Sequence, residues 1–381
     1  MEAYLDNSAT TCVYQETADL VCDLMVNHYG NPSAMHQKGV EAEQYIRTAQ
    51  ETLAKILKVK EKEIFFTSGG TESDNWALVG TAMANKRTGN HIITSAIEHP
   101  AVSAPLAFLE EQGFRITRLP VNKEGLVDVN ELEEAITPET ILVSIMYVNN
   151  EIGSVEPIGE IGRRIKAKNP KTYFHVDAIQ AFGKYRIYPK RMGIDMLSVS
   201  GHKIHAPKGI GALYLSDRLV QAFRPPYLGG EQERGLRPGT ENLPYAMGLA
   251  AAATRLAKTM KSRDAAMKAL NQRLRDGLKA FPEVELNSPE NAVPEVLNFS
   301  EMCIKSETML AWLAEAQVYV SSASACGRGQ PSHTLAAMGK DPLAVDTAIR
   351  VSFCGDNTPE DVDAFLDRFE DGMKHLQKIR K

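Results

Sequence analysis

Three short segments carry residue types that could do chemistry together. In the first, Ser198-Val199-Ser200-Gly201-His202-Lys203, a lysine leaves an apolar run into a loop beside Ser and His. Burial and nearby positive charge would deprotonate such an amine and suit it to Schiff-base formation; a solvated loop lysine is the plainer reading. In the second, Phe174-His175-Val176-Asp177-Ala178-Ile179-Gln180, a carboxylate closes a buried-looking run. At a strand end Asp177 would meet a cationic group or simply cap a following helix, and an unpaired buried carboxylate is costly enough to favour the cation. In the third, Thr67-Ser68-Gly69-Gly70-Thr71-Glu72-Ser73, two glycines and hydroxyls precede a helical pattern. Helix-terminal N–H groups there suit a phosphate, and a turn in which Thr71 and Ser73 merely cap the helix fits equally well.

Taken together and in this order, the segments supply a phosphate anchor at Gly70 and Thr71, a carboxylate for a pyridinium nitrogen at Asp177 and a covalent tether at Lys203. Those are the parts that pyridoxal 5'-phosphate requires. Three further residues fit around them. His99, in Glu98-His99-Pro100, can lie over an aromatic ring and exchange protons near neutral pH, or serve as a cap. Cys326 lies in a small-residue run, 320–333, with Arg328 close by to favour a thiolate. Arg350 interrupts the apolar run Ala348-Ile349-Arg350-Val351-Ser352-Phe353 and would grip a substrate carboxylate or an internal acid.

The elements that must position these residues follow from periodicity. Between about 60 and 216, short β-branched or aromatic runs alternate with helical patterns, which predicts βαβ units and a mainly parallel sheet. Strands are expected at 63–67, 91–95, 114–119, 141–148, 173–177, 196–200 and 209–215. Two helices, 245–258 and 264–281, lead out of that region. A smaller α+β portion follows, with strands at 296–299, 318–321 and 348–353 and helices at 306–316 and 359–379. The expected division is a large cofactor-binding domain, 15–258, and a small domain made of 1–14 plus 259–381.

Composition sets limits. The chain has 381 residues, 43% hydrophobic and 24% charged, values of a globular protein with ample core. A net charge of -5 without a basic stripe argues against direct nucleic-acid binding. The start, Met1-Glu2-Ala3-Tyr4, has no signal-peptide pattern, and no apolar stretch reaches membrane-spanning length. Five scattered cysteines without CxxC or zinc spacing point to free thiols in a reducing cytoplasm and to no metal site. Cys12, Cys22, Cys303 and Cys354 are expected to be buried structural residues. A nicotinamide dehydrogenase would need a GxGxxG turn after its first strand, and the sequence has none there.

End to end, the sequence resembles the cysteine desulfurases of the NifS/IscS type, class-V aminotransferases of the pyridoxal-phosphate fold type I. The resemblance rests on Tyr4-Leu5-Asp6-Asn7-Ser8-Ala9-Thr10-Thr11, Gly30-Asn31-Pro32-Ser33, Gly70-Thr71, Glu98-His99, Val148-Asn149-Asn150-Glu151-Ile152-Gly153, His175-Val176-Asp177, Ser200-Gly201-His202-Lys203, Arg237-Pro238-Gly239-Thr240 and Cys326. It implies an aspartate-aminotransferase-like α/β fold. Lys203 would hold the cofactor, Asp177 its ring nitrogen and Gln180 its phenolic oxygen, with His99 stacked on the ring. Thr71, Ser200 and His202 would bind the phosphate, joined by Thr240 from the other subunit of a homodimer. Asn150 and Arg350 would hold the carboxylate of L-cysteine, and Cys326 would take the sulfur as a persulfide, releasing alanine. The sulfur would pass to an acceptor protein, an iron-sulfur scaffold or a tRNA-thiolation enzyme.

The sequence departs from the family pattern in three places. The loop after Cys326 is shorter by a couple of residues than in members that feed iron-sulfur scaffolds, which suggests a long-loop-branch member with a trimmed loop. Ala206 and Ala323 stand where glycine is usual, and each is expected to restrict a backbone that reaches positive φ. Competing functions are a selenocysteine lyase or another lyase or aminotransferase on the same scaffold, and a sulfur carrier with a vestigial cofactor site.

Overall fold

A computed structural model describes residues 2–220, 223–322 and 331–379. Its strands are β1 (Ala3–Tyr4), β2 (Ile64–Thr67), β3 (His91–Ser95), β4 (Arg115–Leu119), β5 (Thr140–Ser144), β6 (Tyr173–Asp177), β7 (Met196–Ser200), β8 (Gly211–Leu215), β9 (Glu285–Leu286), β10 (Val296–Ser300), β11 (Val318–Tyr319) and β12 (Ala348–Ser352).

Seven of these form one sheet in the order β2-β8-β7-β6-β5-β3-β4, in which β8 alone runs antiparallel to its neighbours. Strands β3, β5, β7 and β8 are buried along their whole length, and β6 in all but its first residue, as expected of a sheet with both faces covered. Because the other six strands point the same way, Thr67, Ser95, Ser144, Asp177 and Ser200 all end on one edge. That edge is where a parallel sheet gathers its ligand.

A second sheet, β12-β10-β9, is antiparallel, and β1 pairs in parallel with β11. Two of the apolar clusters among the described residues reflect this division. Residues such as Leu53, Phe174, Leu197 and Leu256 belong to one, and Leu5, Leu270, Phe299, Val351 and Phe369 to the other.

Several sequence expectations need correction. The two helices expected at 245–258 and 264–281 are a single helix, Leu243–Leu278. Its middle, 257–266, buries nothing and so reads as a linker, yet it contains neither Pro nor Gly to break the backbone. The strand expected over 141–148 ends at Ser144, because the chain then turns so that Val148 bridges Val155. The 209–215 strand begins at Gly211, the 318–321 strand ends at Tyr319, and the last helix stops at His375. Cys12 and Cys22 are exposed rather than buried. Ala206 carries no positive φ; the left-handed position is its neighbour His205, at φ 62°, so alanine strains nothing at 206. Ala323 lies outside the described residues.

Candidate active site

Every predicted site residue that is described, apart from Thr240, borders one cavity of about 170 Å³ at the carboxyl edge of the main sheet. Gly70 and Thr71 enter from the turn after β2, His99 from the turn after β3, Asn150 from the loop after β5. Asp177 and Gln180 come from the end of β6, and Ser200, His202 and Lys203 from the end of β7. Arg350 reaches in from β12 of the second sheet. A larger groove, about 1270 Å³, runs between the long helix and residues 281–294, and none of the predicted residues lines it.

Gly70 opens a helical run that continues to Asn85. A Cβ on Gly70 would stand 2.2 Å from Ile179 Cδ1, so glycine is what lets this turn close on the cavity. Neither Thr71 nor Ser73 caps that helix through its side chain; Ser73 Oγ instead lies 2.8 Å from Thr67 Oγ1. The plain capping reading of the turn therefore fails.

His99 does cap its helix, with Nδ1 accepting the Ala101 N–H at 3.1 Å. This bond assigns the acceptor role to Nδ1, so a neutral ring carries its proton on Nε2. Burial, then Lys203 and His333, pushes His99 down to about 4. His202 is pushed down to about 4 by burial, Lys203 and Lys208. Both rings are neutral at physiological pH.

Asp177 accepts the Ile179 N–H at 2.9 Å, and a turn rather than a helix follows it. Burial raises its carboxyl to about 7, with Asp74 adding repulsion. The Lys203 ammonium donates to the carbonyls of Ser8 and Ala9, at 2.5 and 2.8 Å. Sequence reasoning assigned no role to those two carbonyls, although it singled out the run that contains them. Arg350 is buried; Nη2 donates to Asp6 Oδ1 at 2.8 Å and Nη1 to the Asn150 carbonyl at 2.9 Å, while Nε has no hydrogen-bond partner among the described residues. The internal acid is thus present, and the arginine still faces the cavity.

Thr240 is exposed and does not line the cavity. Its loop is pinned to the Gly70 helix by Arg237, whose Nε donates to Glu72 Oε1 at 2.9 Å. Cys326 and Arg328 lie outside the described residues. Among the described residues there is no cluster of side chains able to hold a metal ion, and no helix long and apolar enough to cross a membrane.

The donor set fits pyridoxal phosphate. A buried carboxylate without an ion pair among the described residues, a lysine amine and a glycine turn that a Cβ would fill share one wall, and Ser8 Oγ beside them is buried without a hydrogen-bond partner among the described residues. The family model for class-V aminotransferases matches residues 3–365. The chain belongs to that family and, within it, to the cysteine desulfurases.

Two relatives show the grouping. Cysteine desulfurase IscS of Methanosarcina thermophila is 43% identical over 99% of this chain and 93% of its own, and IscS of Clostridium botulinum is 42% identical over 96% and 93%. A solved NifS-like protein superposes with a TM-score of 0.94 at 37% identity, covering 99% of this chain and all of the other. DndA from Streptomyces lividans superposes at 0.78 with 39% identity, covering 92% of this chain and 99% of its own.

Proposed function

We propose that this chain converts L-cysteine to L-alanine with pyridoxal phosphate and carries the released sulfur on Cys326. The observation that carries the reading is the convergence of Lys203, Asp177, His99 and Gln180 with the Gly70-Thr71 turn on one cavity.

When bound, the cofactor supplies an electron-withdrawing ring that eases loss of the substrate Cα proton and cleavage of the C–S bond. Lys203 would hold the cofactor covalently, and its Nζ, when free, would be the base that takes the substrate Cα proton. Asp177 keeps a proton at the ring nitrogen, and the cation there compensates a carboxylate that burial otherwise disfavours. Gln180 donates to the phenolic oxygen. Thr71, Ser200 and His202 hold the phosphate, and His99 covers the ring as a neutral base. Asn150 and Arg350 receive the substrate carboxylate; the free Arg350 Nε is a donor available for it. The Cys326 thiolate attacks the substrate sulfur, so an S–S bond forms as the C–S bond breaks, and protonation at carbon gives alanine.

Thr240, exposed on a loop pinned by Arg237, suits completion of a partner subunit's phosphate site in a homodimer. The two apolar clusters support the division into 15–258 and 1–14 plus 259–381. A cytoplasmic setting and delivery to an acceptor protein, for iron-sulfur assembly or tRNA thiolation, complete the proposal.

The test is a visible spectrum of the purified protein before and after L-cysteine, with alanine and protein-bound sulfane sulfur assayed in wild type and Cys326→Ala. A cofactor band, alanine formation and loss of persulfide in the variant are expected. No band would overturn the cofactor, and alanine formation unchanged in Cys326→Ala would overturn that nucleophile.

A further inference from the structure

Behind the cavity lies a cation that the mechanism above does not use. On the turn after β6, Gly183 sits at φ 80° and Lys184 follows it. The Lys184 ammonium donates to Gln180 Oε1 at 3.2 Å. Gln180 in turn donates from Nε2 to the Ser8 carbonyl at 3.0 Å, and that carbonyl also accepts from Lys203 Nζ at 2.5 Å. The Gln180 amide is therefore bracketed. Its oxygen meets a group that can only donate, and its nitrogen meets one that can only accept; a flipped amide would face a like partner at both ends.

Burial, foremost, lowers the hold of Lys184 on its proton; Glu295 attracts its charge, while Arg263 and Arg350 oppose it. Arg263 is fixed by donation to the Gly183 carbonyl, and Glu295 Oε2 is buried without a hydrogen-bond partner among the described residues. Lys184, Arg263, Glu295 and Lys203 share the wall of a second cavity, about 30 Å³, enough for a water or two.

We propose that Lys184 is a positioning residue of the active site: it locks the Gln180 amide with its nitrogen as donor and sets a positive charge one hydrogen bond behind the point where Gln180 meets the cofactor's phenolic oxygen. The proposal rests on the cofactor reading given above. A cation there stabilises the ionised phenolic oxygen and opposes a second positive charge at the Lys203 nitrogen. Removing it must let that nitrogen keep its proton to higher pH.

The experiment is a pH titration of the visible cofactor band in the holoenzyme, for wild type, Lys184→Met, Lys184→Gln and Lys184→Arg, with cofactor content and thermal unfolding measured on each. Lys184→Met and Lys184→Gln are expected to raise the band's midpoint by about one pH unit. Lys184→Arg, which keeps charge and donor, is expected to titrate near the wild type. A purely structural lysine would lower thermal stability and leave the midpoint in place. A wild-type midpoint in either charge-removing variant, or the same displacement in Lys184→Arg, overturns the proposal; should Lys184→Met fail to fold, Lys184→Gln decides. A wild type without any visible band overturns the cofactor reading instead, so the two failures are distinct.

Discussion

Asparagine at 177 separates what it costs to hold a carboxylate in the cavity from what that carboxylate does there. In the cofactor-free chain, burial and the nearby Asp74 raise Asp177 from 3.8 to about 7. About three pH units, at 1.36 kcal/mol each, amount to about 4 kcal/mol. Only 4% of the residue is exposed, so solvent screens little of this. The folded value lies above the unfolded one, and the unfolded chain therefore releases this proton first as pH rises. The penalty on the fold is absent below about pH 4, grows up to about pH 7 and is complete beyond it. Cofactor-free Asp177→Asn should match the wild type near pH 4 and exceed it by up to about 4 kcal/mol at pH 8, as read from urea unfolding at each pH. Adding the cofactor should reverse the order, because its ring cation compensates the carboxylate and gains nothing from the amide. Fluorescence titration should then show cofactor affinity in the variant lowered by roughly a hundredfold. A stability difference that stays flat from pH 4 to pH 8 would refute the account of Asp177 as an uncompensated buried carboxylate. Unchanged cofactor affinity would refute its pairing with the ring.

Arg350→Met removes a buried guanidinium and leaves the half-buried Asp6 without its partner, and should destabilise the chain by about 2 kcal/mol in urea unfolding, with a raised KM for L-cysteine. His99 is held at about 4, below its unfolded value of 6.5, so it contributes a loss of stability as pH falls through that interval. The stability of cofactor-free His99→Gln relative to the wild type should accordingly rise as pH falls from 7 to 5, as read from urea unfolding at each pH. Gly70→Ala meets only the mobile end of Ile179, so its thermal unfolding should stay near wild type while cofactor affinity falls, as measured by equilibrium dialysis.

The sequence makes the main sheet legible because strands buried on both faces are short continuous apolar runs separated by helical patterns. Runs at 91–95, 173–177 and 196–200 match β3, β6 and β7 residue for residue. Lys203, Asp177 and the Gly70 turn are legible for a related reason: strand ends converge on one edge whatever the loops do. Contacts between remote segments are different. Nothing local in Asp6 announces its pairing with Arg350, and nothing in Ser8 or Ala9 announces that their carbonyls hold Lys203, because these contacts are backbone-mediated or join the chain's two ends. Periodicity also misleads at 257–266, where a helix crosses solvent between two cores and loses its apolar face for nearly three turns.

That unbroken helix has a geometric consequence. Leu249 and Leu256 pack on one core, and Leu270 and Leu274 on the other. Each inserted or deleted residue between them would turn one end relative to the other by about 100° and change their separation by about 1.5 Å. Apart from Arg263, which holds the Gly183 carbonyl, the middle tolerates changes of side chain but not a change in length. Chains of this design can drift in the composition of 257–266 around that arginine, whereas an indel there survives only in steps of about seven residues, which restore the angle, and then only if the cores accept a shift of about 10 Å.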